Sequence, residues 1–184
     1  LGDEFIRQLR PILLRGRDRE HIVGSIDQLR QAGVKKSRGP RKTTLDIKNG
    51  RGGIRDIEFL VQGLQLAHCP NHPTLIQGNT LMAIEALSEA TIISDAAKKQ
   101  LTTDYTFLRQ IEHYLQILDD RQIHALPSDP EELALLAKRI FGIDSGAHPF
   151  MQQLGECTSR VTQAYDTLLL RRQERIEAGK GDAN

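Results

Sequence analysis

Apolar positions along the chain keep a helical rhythm for most of its length, with one sharp interruption. Ile54, Ile57, Leu60, Val61, Leu64 and Ala67 recur at three- and four-residue intervals, which predicts a helix with one buried face. Arg55, Glu58, Gln62 and Gln65 fall on its other side. Just before it, Leu45-Asp46-Ile47 reads as one short strand, and Lys48-Asn49-Gly50-Arg51-Gly52-Gly53 as the tight turn between strand and helix.

The remaining elements follow the same rules. Phe5, Ile6, Leu9, Ile12 and Leu13 are apolar, with Pro11 expected to interrupt any helix there. Asp18 is placed to cap a helix from Arg19 to Gln31 that Gly33 closes, with Ile22, Val23, Ile26 and Leu29 inward. Lys35 to Lys42 is polar, basic and broken by Gly39-Pro40, the composition of a loop. Asn79 or Thr80 opens a helix with Leu81, Ile84 and Leu87 inward. Ser94 caps a longer one to about Arg121, whose core face is Leu101, Tyr105, Leu108, Ile111, Leu115 and Leu118. A polar stripe on that helix, Arg109, Glu112, Gln116 and Asp119 or Asp120, either pairs along the helix or forms a seam with Arg55, Glu58 and Gln62. Asp129-Pro130 starts a helix with Leu133, Leu136, Ala137 and Ile140 inward, ended by Gly142. A last helix from about Pro149 to Ala178 carries Phe150, Leu154, Cys157, Val161, Ala164 and Leu168, and residues 179–184 are a frayed tail. The predicted fold is mainly α, a bundle of four or five long helices behind a helix, a basic loop and one short strand.

Composition adds exclusions. With 184 residues, 39% of them hydrophobic and 27% charged, the chain reads as an ordinary globular one. No apolar run is long enough for a membrane span. Eight aromatic side chains and no Trp argue against stacking on nucleic-acid bases, which leaves that partner class ranked last. Two cysteines, Cys69 and Cys157, are too few for a disulfide framework and suit a cytoplasmic protein. The net charge of +1 hides an asymmetry: thirteen Lys or Arg against six Asp or Glu up to Gly53, then twelve against eighteen.

The chemistry concentrates at the turn. Two carboxylates, Asp56 and Glu58, sit in the first turns of the helix that follows three glycines. They can simply complement the helix dipole. Alternatively, the glycines admit a phosphate while the carboxylates hold a divalent metal. Spacing leaves both open. The turn lacks the Lys-Ser/Thr ending of a P-loop and fits no dinucleotide fingerprint. His68, Cys69 and His72 are metal-capable, but three ligands in a Pro-broken loop without a second cluster make a weak zinc site.

The run Asp46-Ile47-Lys48, then Gly50 to Gln62 (Gly-Arg-Gly-Gly-Ile-Arg-Asp-Ile-Glu-Phe-Leu-Val-Gln), resembles the signature of glutamine synthetase adenylyltransferases. Leu108-Arg109-Gln110-Ile111-Glu112-His113, Leu115-Gln116, Asp120-Arg121-Gln122, His124 and Leu126-Pro127 extend the match. Uridylyltransferases of the nitrogen signalling protein share the Gly-Gly-hydrophobic-Arg-Asp core and fit less well from Glu58 to Gln62. The resemblance implies an enzyme that attaches AMP, from ATP, to a tyrosine of glutamine synthetase and removes it by phosphorolysis, with magnesium as cofactor. It implies that residues 1–53 close a nucleotidyltransferase α/β domain and that 54–178 form the helical domain behind it, nearer the amino-terminal, AMP-removing half. Glu58, with Asp56 as the other candidate, would be catalytic and hold magnesium. Lys48, Arg51, Gly52 and Gly53 would bind nucleotide or phosphate, supported by Arg55, Gln62, Arg109, Glu112 and Gln116. The family's Gly-Ser and Asp-x-Asp pair is absent before Lys48, where Gly24-Ser25-Ile26-Asp27 comes nearest. A chain starting at Leu1 is therefore expected to be a piece of a longer protein, inactive alone. The alternatives are a non-catalytic helical module that docks glutamine synthetase or the nitrogen signalling protein, or the equivalent part of a signalling-protein uridylyltransferase.

Overall fold

A computed structural model describes residues 2–37, 45–118, 125–142 and 146–170. Seven α-helices are present among them: α1 (Gly2–Leu13), α2 (Arg19–Ser37), α3 (Ile54–His68), α4 (Thr80–Glu89), α5 (Asp95–Leu118), α6 (Pro130–Phe141) and α7 (Ala147–Tyr165). A single 3-10 turn, Pro73–Leu75, precedes α4, and α7 runs into a π-helical turn at Asp166–Leu170. The mainly α fold expected from the hydrophobic rhythm is the fold observed.

Local signals set most of the ends. Asp18 accepts the His21 amide ahead of α2, and Ser94 accepts that of Ala97 ahead of α5. Asn79 accepts the amides of Leu81 and Met82, and Asp129 that of Glu132, each satisfying donors the helix leaves open. Gly142, at φ +97°, ends α6.

Four expectations are corrected. Pro11 lies inside α1 rather than breaking it; the helix is exposed there, so water can take the carbonyl freed by the missing N–H. Gly33 does not close α2, which continues to Ser37. Leu29 and Leu81 face solvent, at 60% and 39% exposure, while Arg30 and Ala83 turn inward in their helices. Leu45 to Ile47 is not a strand: Asp46 forms one isolated antiparallel bridge with Ala125, joined by a 3.0 Å bond from the Leu126 amide to the Leu45 carbonyl. The basic loop beyond Ser37, Leu118's side chain, Asp119 to His124, and the last helix beyond Leu170 with the tail lie outside the described residues.

α3 is the hub. It packs against α2, α4, α5, α7 and the π turn. Its Ile54, Ile57 and Leu60 are wholly buried, each stabilising the fold by about 1.5–3 kcal/mol relative to exposure. Ile22, Val23 and Ile26 of α2 join the same core as Leu108, Ile111, Leu154, Val161 and Leu169.

Candidate functional site

The glycine turn is a closed knot of backbone bonds. Asp46 Oδ1 accepts the amides of Lys48 (2.9 Å) and Asn49 (2.8 Å), and its carbonyl accepts Gly50. Gly53 donates to Gly50, Ile54 to Ile47, Arg55 to Lys48 and Asp56 to Gly53, while the Gly52 amide reaches Asp56 Oδ2 at 2.7 Å. The amides that a helix start normally leaves open are therefore already used. The glycines answer to packing. Gly52 has φ +75°, and a Cβ there would lie 2.1 Å from the Thr158 carbonyl of α7. A Cβ on Gly53 would lie 2.5 Å from the Ile47 carbonyl. The expectation that Gly52 and Gly53 bind phosphate draws no support from free amides.

Asp56 and Glu58 part company. Asp56 is 2% exposed and takes both arms of Arg30, Nε to Oδ1 at 2.8 Å and Nη2 to Oδ2 at 2.6 Å. Arg30 lies over the Tyr165 ring, 4.0 Å from its centre, with Asp166 3.9 Å away. Burial works to lower the guanidinium's pKa, but the hydrogen bonds and charge of Asp56 outweigh it and hold the pKa above its ordinary value. Three of the roughly four acceptor sites of Asp56 are thus taken by Arg30 and Gly52, and burial closes off the rest. Glu58 is half-buried and accepts one bond, from the Tyr105 hydroxyl of α5 at 3.2 Å. Burial, then the charge of Glu58, raise the Tyr105 pKa.

Part of the expected polar seam is present. Glu112 of α5 is 2% exposed and bridges Lys48 Nζ at 3.0 Å and Arg109 at 2.5 Å, so it ties the glycine turn to the helix that carries Tyr105. Gln116 and Arg55 are exposed; Arg55 lies beside Gly33 of α2. Gln62 lines a separate apolar pocket with Leu13, Leu66 and Cys69. Arg51 also departs from Lys48: it reaches Asp166 at 3.5 Å on the α7 side. The structure therefore gathers Lys48, Glu112, Arg109 and, through Tyr105, Glu58, and separates Asp56, Arg51, Arg55, Gln62 and Gln116 from them. His124 lies outside the described residues.

A divalent cation of the magnesium type needs several oxygen ligands. Among the described residues no group of three His, Cys, Asp or Glu could hold a metal ion. Glu58 offers one oxygen beyond the one that Tyr105 engages, so these residues by themselves do not make a magnesium site. The sequence reading passes over Arg30 and over Asp104, which is 1% exposed and bonded by Arg160 at 2.7 Å, tying α5 to α7. Both had a signal: Arg30 continues the i, i+4 row of Ile22 and Ile26, and Asp104 falls three residues after Leu101 and four before Leu108 on the core face of α5.

A family model described as GlnD PII-uridylyltransferase matches residues 24–169. A bifunctional glutamine synthetase adenylyltransferase/adenylyl-removing enzyme of a Bradyrhizobium species is 38% identical over 148 residues, 78% of this chain and 15% of the relative. The enzyme so named from Stenotrophomonas maltophilia is 34% identical over 174 residues, 94% of this chain and 18% of its own length. Another, from Leifsonia xyli, is 32% identical over 171 residues, covering 93% and 17%. The chain spans less than a fifth of the length of these relatives. No helix among the described residues is long and apolar enough to cross a membrane.

Proposed function

The chain belongs to the GlnD PII-uridylyltransferase family, and from its relatives we propose that it is part of a glutamine synthetase adenylyltransferase/adenylyl-removing enzyme. The parent protein would transfer AMP from ATP to a glutamine synthetase tyrosine and remove it by phosphorolysis. Support comes from relatives that carry this name across three quarters or more of the chain. Within it, Glu58 is the carboxylate that fits a reacting group: half-buried, held from one side by Tyr105, with its second oxygen unbonded among the described residues. Magnesium, when bound, would neutralise phosphate charge, and most of its ligands would come from outside the described residues. Lys48, anchored by Glu112, is the cation of the same face. Asp56 serves the fold. The parent would act in the cytoplasm, in keeping with two buried, unlinked cysteines. The nitrogen signalling protein is a proposed partner, and the amino-terminal, AMP-removing half its proposed origin.

A second reading has an observation of its own. The saturated turn and the Arg30–Asp56 pair also suit a purely structural knot in a helical docking module. One experiment separates the two. In the full-length parent, Glu58→Gln is assayed for phosphate-dependent AMP release from adenylylated glutamine synthetase with magnesium, alongside its melting curve. A loss of about a hundredfold or more with unchanged melting is expected of a reacting carboxylate. Near-normal rates would leave the docking reading.

A further inference from the structure

α3 carries more than Glu58 along one line. Glu58, Gln62 and Gln65, with Cys69 at the C-terminal end, follow at i, i+4, i+7 and i+11, a single row on one side of the helix. The last three line a cavity of about 230 Å³, bounded also by Leu13 at the end of α1, by Leu66, and by Ile76 and Gln77 ahead of α4. Its walls are tied in place. Gln65 Nε2 donates to the Leu75 and Gln77 carbonyls at 2.6 and 3.0 Å, and Cys69 Sγ donates to the Leu13 carbonyl at 3.2 Å. The segment through Ile76 and Gln77 leads into Thr80, whose side chain is hydrogen-bonded to Tyr105, the residue that holds Glu58. The cavity is therefore linked to Glu58 twice, along α3 and through the start of α4.

Size and charge narrow the occupant. An apolar cavity of about 150 Å³ already accepts benzene, whereas sites for drug-sized ligands start at about 300 Å³. The space suits one branched or aromatic side chain and is small for a nucleotide. Among the described residues no charged side chain lines it, so an ionised ligand would lose its water without gaining a partner. Cys69 supplies no thiolate either, since burial pushes the thiol's pKa up. Gln62, exposed at the end nearer Glu58, offers a carboxamide to a polypeptide backbone. With Glu58 as the reacting carboxylate, the reading on which this rests, we propose that the cavity holds an apolar side chain of the protein substrate, a few residues from the tyrosine that reacts. Gln65, in the middle of the cavity's row, lies about 10 Å beyond Glu58 along the axis at about 1.5 Å per residue. An extended polypeptide covers that distance in about three residues at about 3.3 Å each.

The test uses the full-length parent and adenylylated glutamine synthetase, with AMP release followed at saturating phosphate and magnesium. Ile76→Trp fills the cavity from a half-buried position outside the helices. It should raise KM for the protein substrate about tenfold or more and leave kcat and the KM for phosphate within about twofold. Gln77→Trp gives up only an exposed side-chain bond to the Thr74 carbonyl; it should act alike, and replaces Ile76→Trp if that variant melts early. Alanine replacement of each apolar residue within about six positions of the target tyrosine should raise KM at one of them, and there raise it no further against the tryptophan variant. Near-normal kcat in Glu58→Gln would remove the Glu58 reading alone, while the KM values still decide the cavity. KM unchanged in both tryptophan variants with melting intact, or target substitutions whose effects all simply add to theirs, overturns the proposal.

Discussion

Removing one side of the Arg30–Asp56 pair should damage the fold as much as a large aliphatic truncation in its core. Asp56→Asn keeps one acceptor oxygen where the carboxylate received bonds of 2.8 and 2.6 Å from Arg30 and 2.7 Å from Gly52. Its amide group points donors at donors, so at least one buried N–H loses its acceptor. The guanidinium cannot relieve the loss by deprotonating. Asp166, at 3.9 Å, is too far to replace a bidentate partner. Breaking a buried pair from one side costs about 3–5 kcal/mol, a large share of the roughly 5–15 kcal/mol that holds a domain together. At about 2–4 °C per kcal/mol for a chain of this size, melting should fall by about 6–20 °C. Arg30→Met should cost a similar amount by leaving Asp56 buried with Gly52 alone. The double variant should cost clearly less than the two added together, with a coupling of up to about 3 kcal/mol. Urea unfolding followed by far-ultraviolet circular dichroism measures all three. Losses below about 1 kcal/mol, or simple additivity, would refute the claim that this pair anchors α2 to the start of α3.

Three other outcomes follow from the same contacts. Gly52→Ala, at φ +75° and against the Thr158 carbonyl, should destabilise by about 1–3 kcal/mol or more, whereas Gly155→Ala, in α7 with open space around it, should gain about 0.5–1 kcal/mol; urea midpoints compare them. Burial raises the pKa of the Cys157 thiol and of the Tyr165 phenol, so both protons are held more tightly folded than unfolded. Their contribution is complete below the unfolded values, about 8.5 and about 10, and is lost as pH rises past them. Stability should hold from about pH 7 to 8 and fall above, and Tyr165→Phe, whose hydroxyl has no hydrogen-bond partner among the described residues, should flatten the upper part of that fall at little cost. In the full-length parent, Tyr105→Phe should leave melting within about 1 kcal/mol yet lower kcat/KM about tenfold and raise the magnesium needed for half-maximal rate. An unchanged magnesium requirement would show that Tyr105 does not position Glu58.

What was legible in the sequence was local. The bounds of α3, the caps at Asp18, Asn79, Ser94 and Asp129, and the glycine end of α6 depend on neighbours within a turn or two, and residue type encodes them directly. What failed depends on partners far along the chain. Arg30 faces inward because Asp56 waits there, and a hydrophobic count assigns the inward place to Leu29 instead. Leu45 to Ile47 has a strand's composition, but its described pairing is a single bridge to the segment before α6, so no ladder develops. The three glycines suggested a phosphate cradle, yet the atom nearest a Cβ on Gly52 belongs to Thr158 on the last helix.

The two carboxylates carry the same lesson to the chemistry. Asp56 and Glu58 are two residues apart on a helix, about 200° around its axis at 3.6 residues per turn, so their side chains leave on nearly opposite faces. One face meets α2 and the other α5: Asp56 goes to Arg30 and Glu58 to Tyr105. The two carboxylates, alternative metal-ligand candidates in the sequence, do not converge on one point as the first turn of α3 places them. That turn is locked by Ile54 to Ile47 and Arg55 to Lys48 bonds of 3.0 and 3.1 Å. The division of labour is therefore set by helix geometry before any ligand arrives. Asp56 holds the start of the helix at a fixed angle to the glycine turn, and the same rigidity aims Glu58 toward the face that Lys48 and Glu112 share.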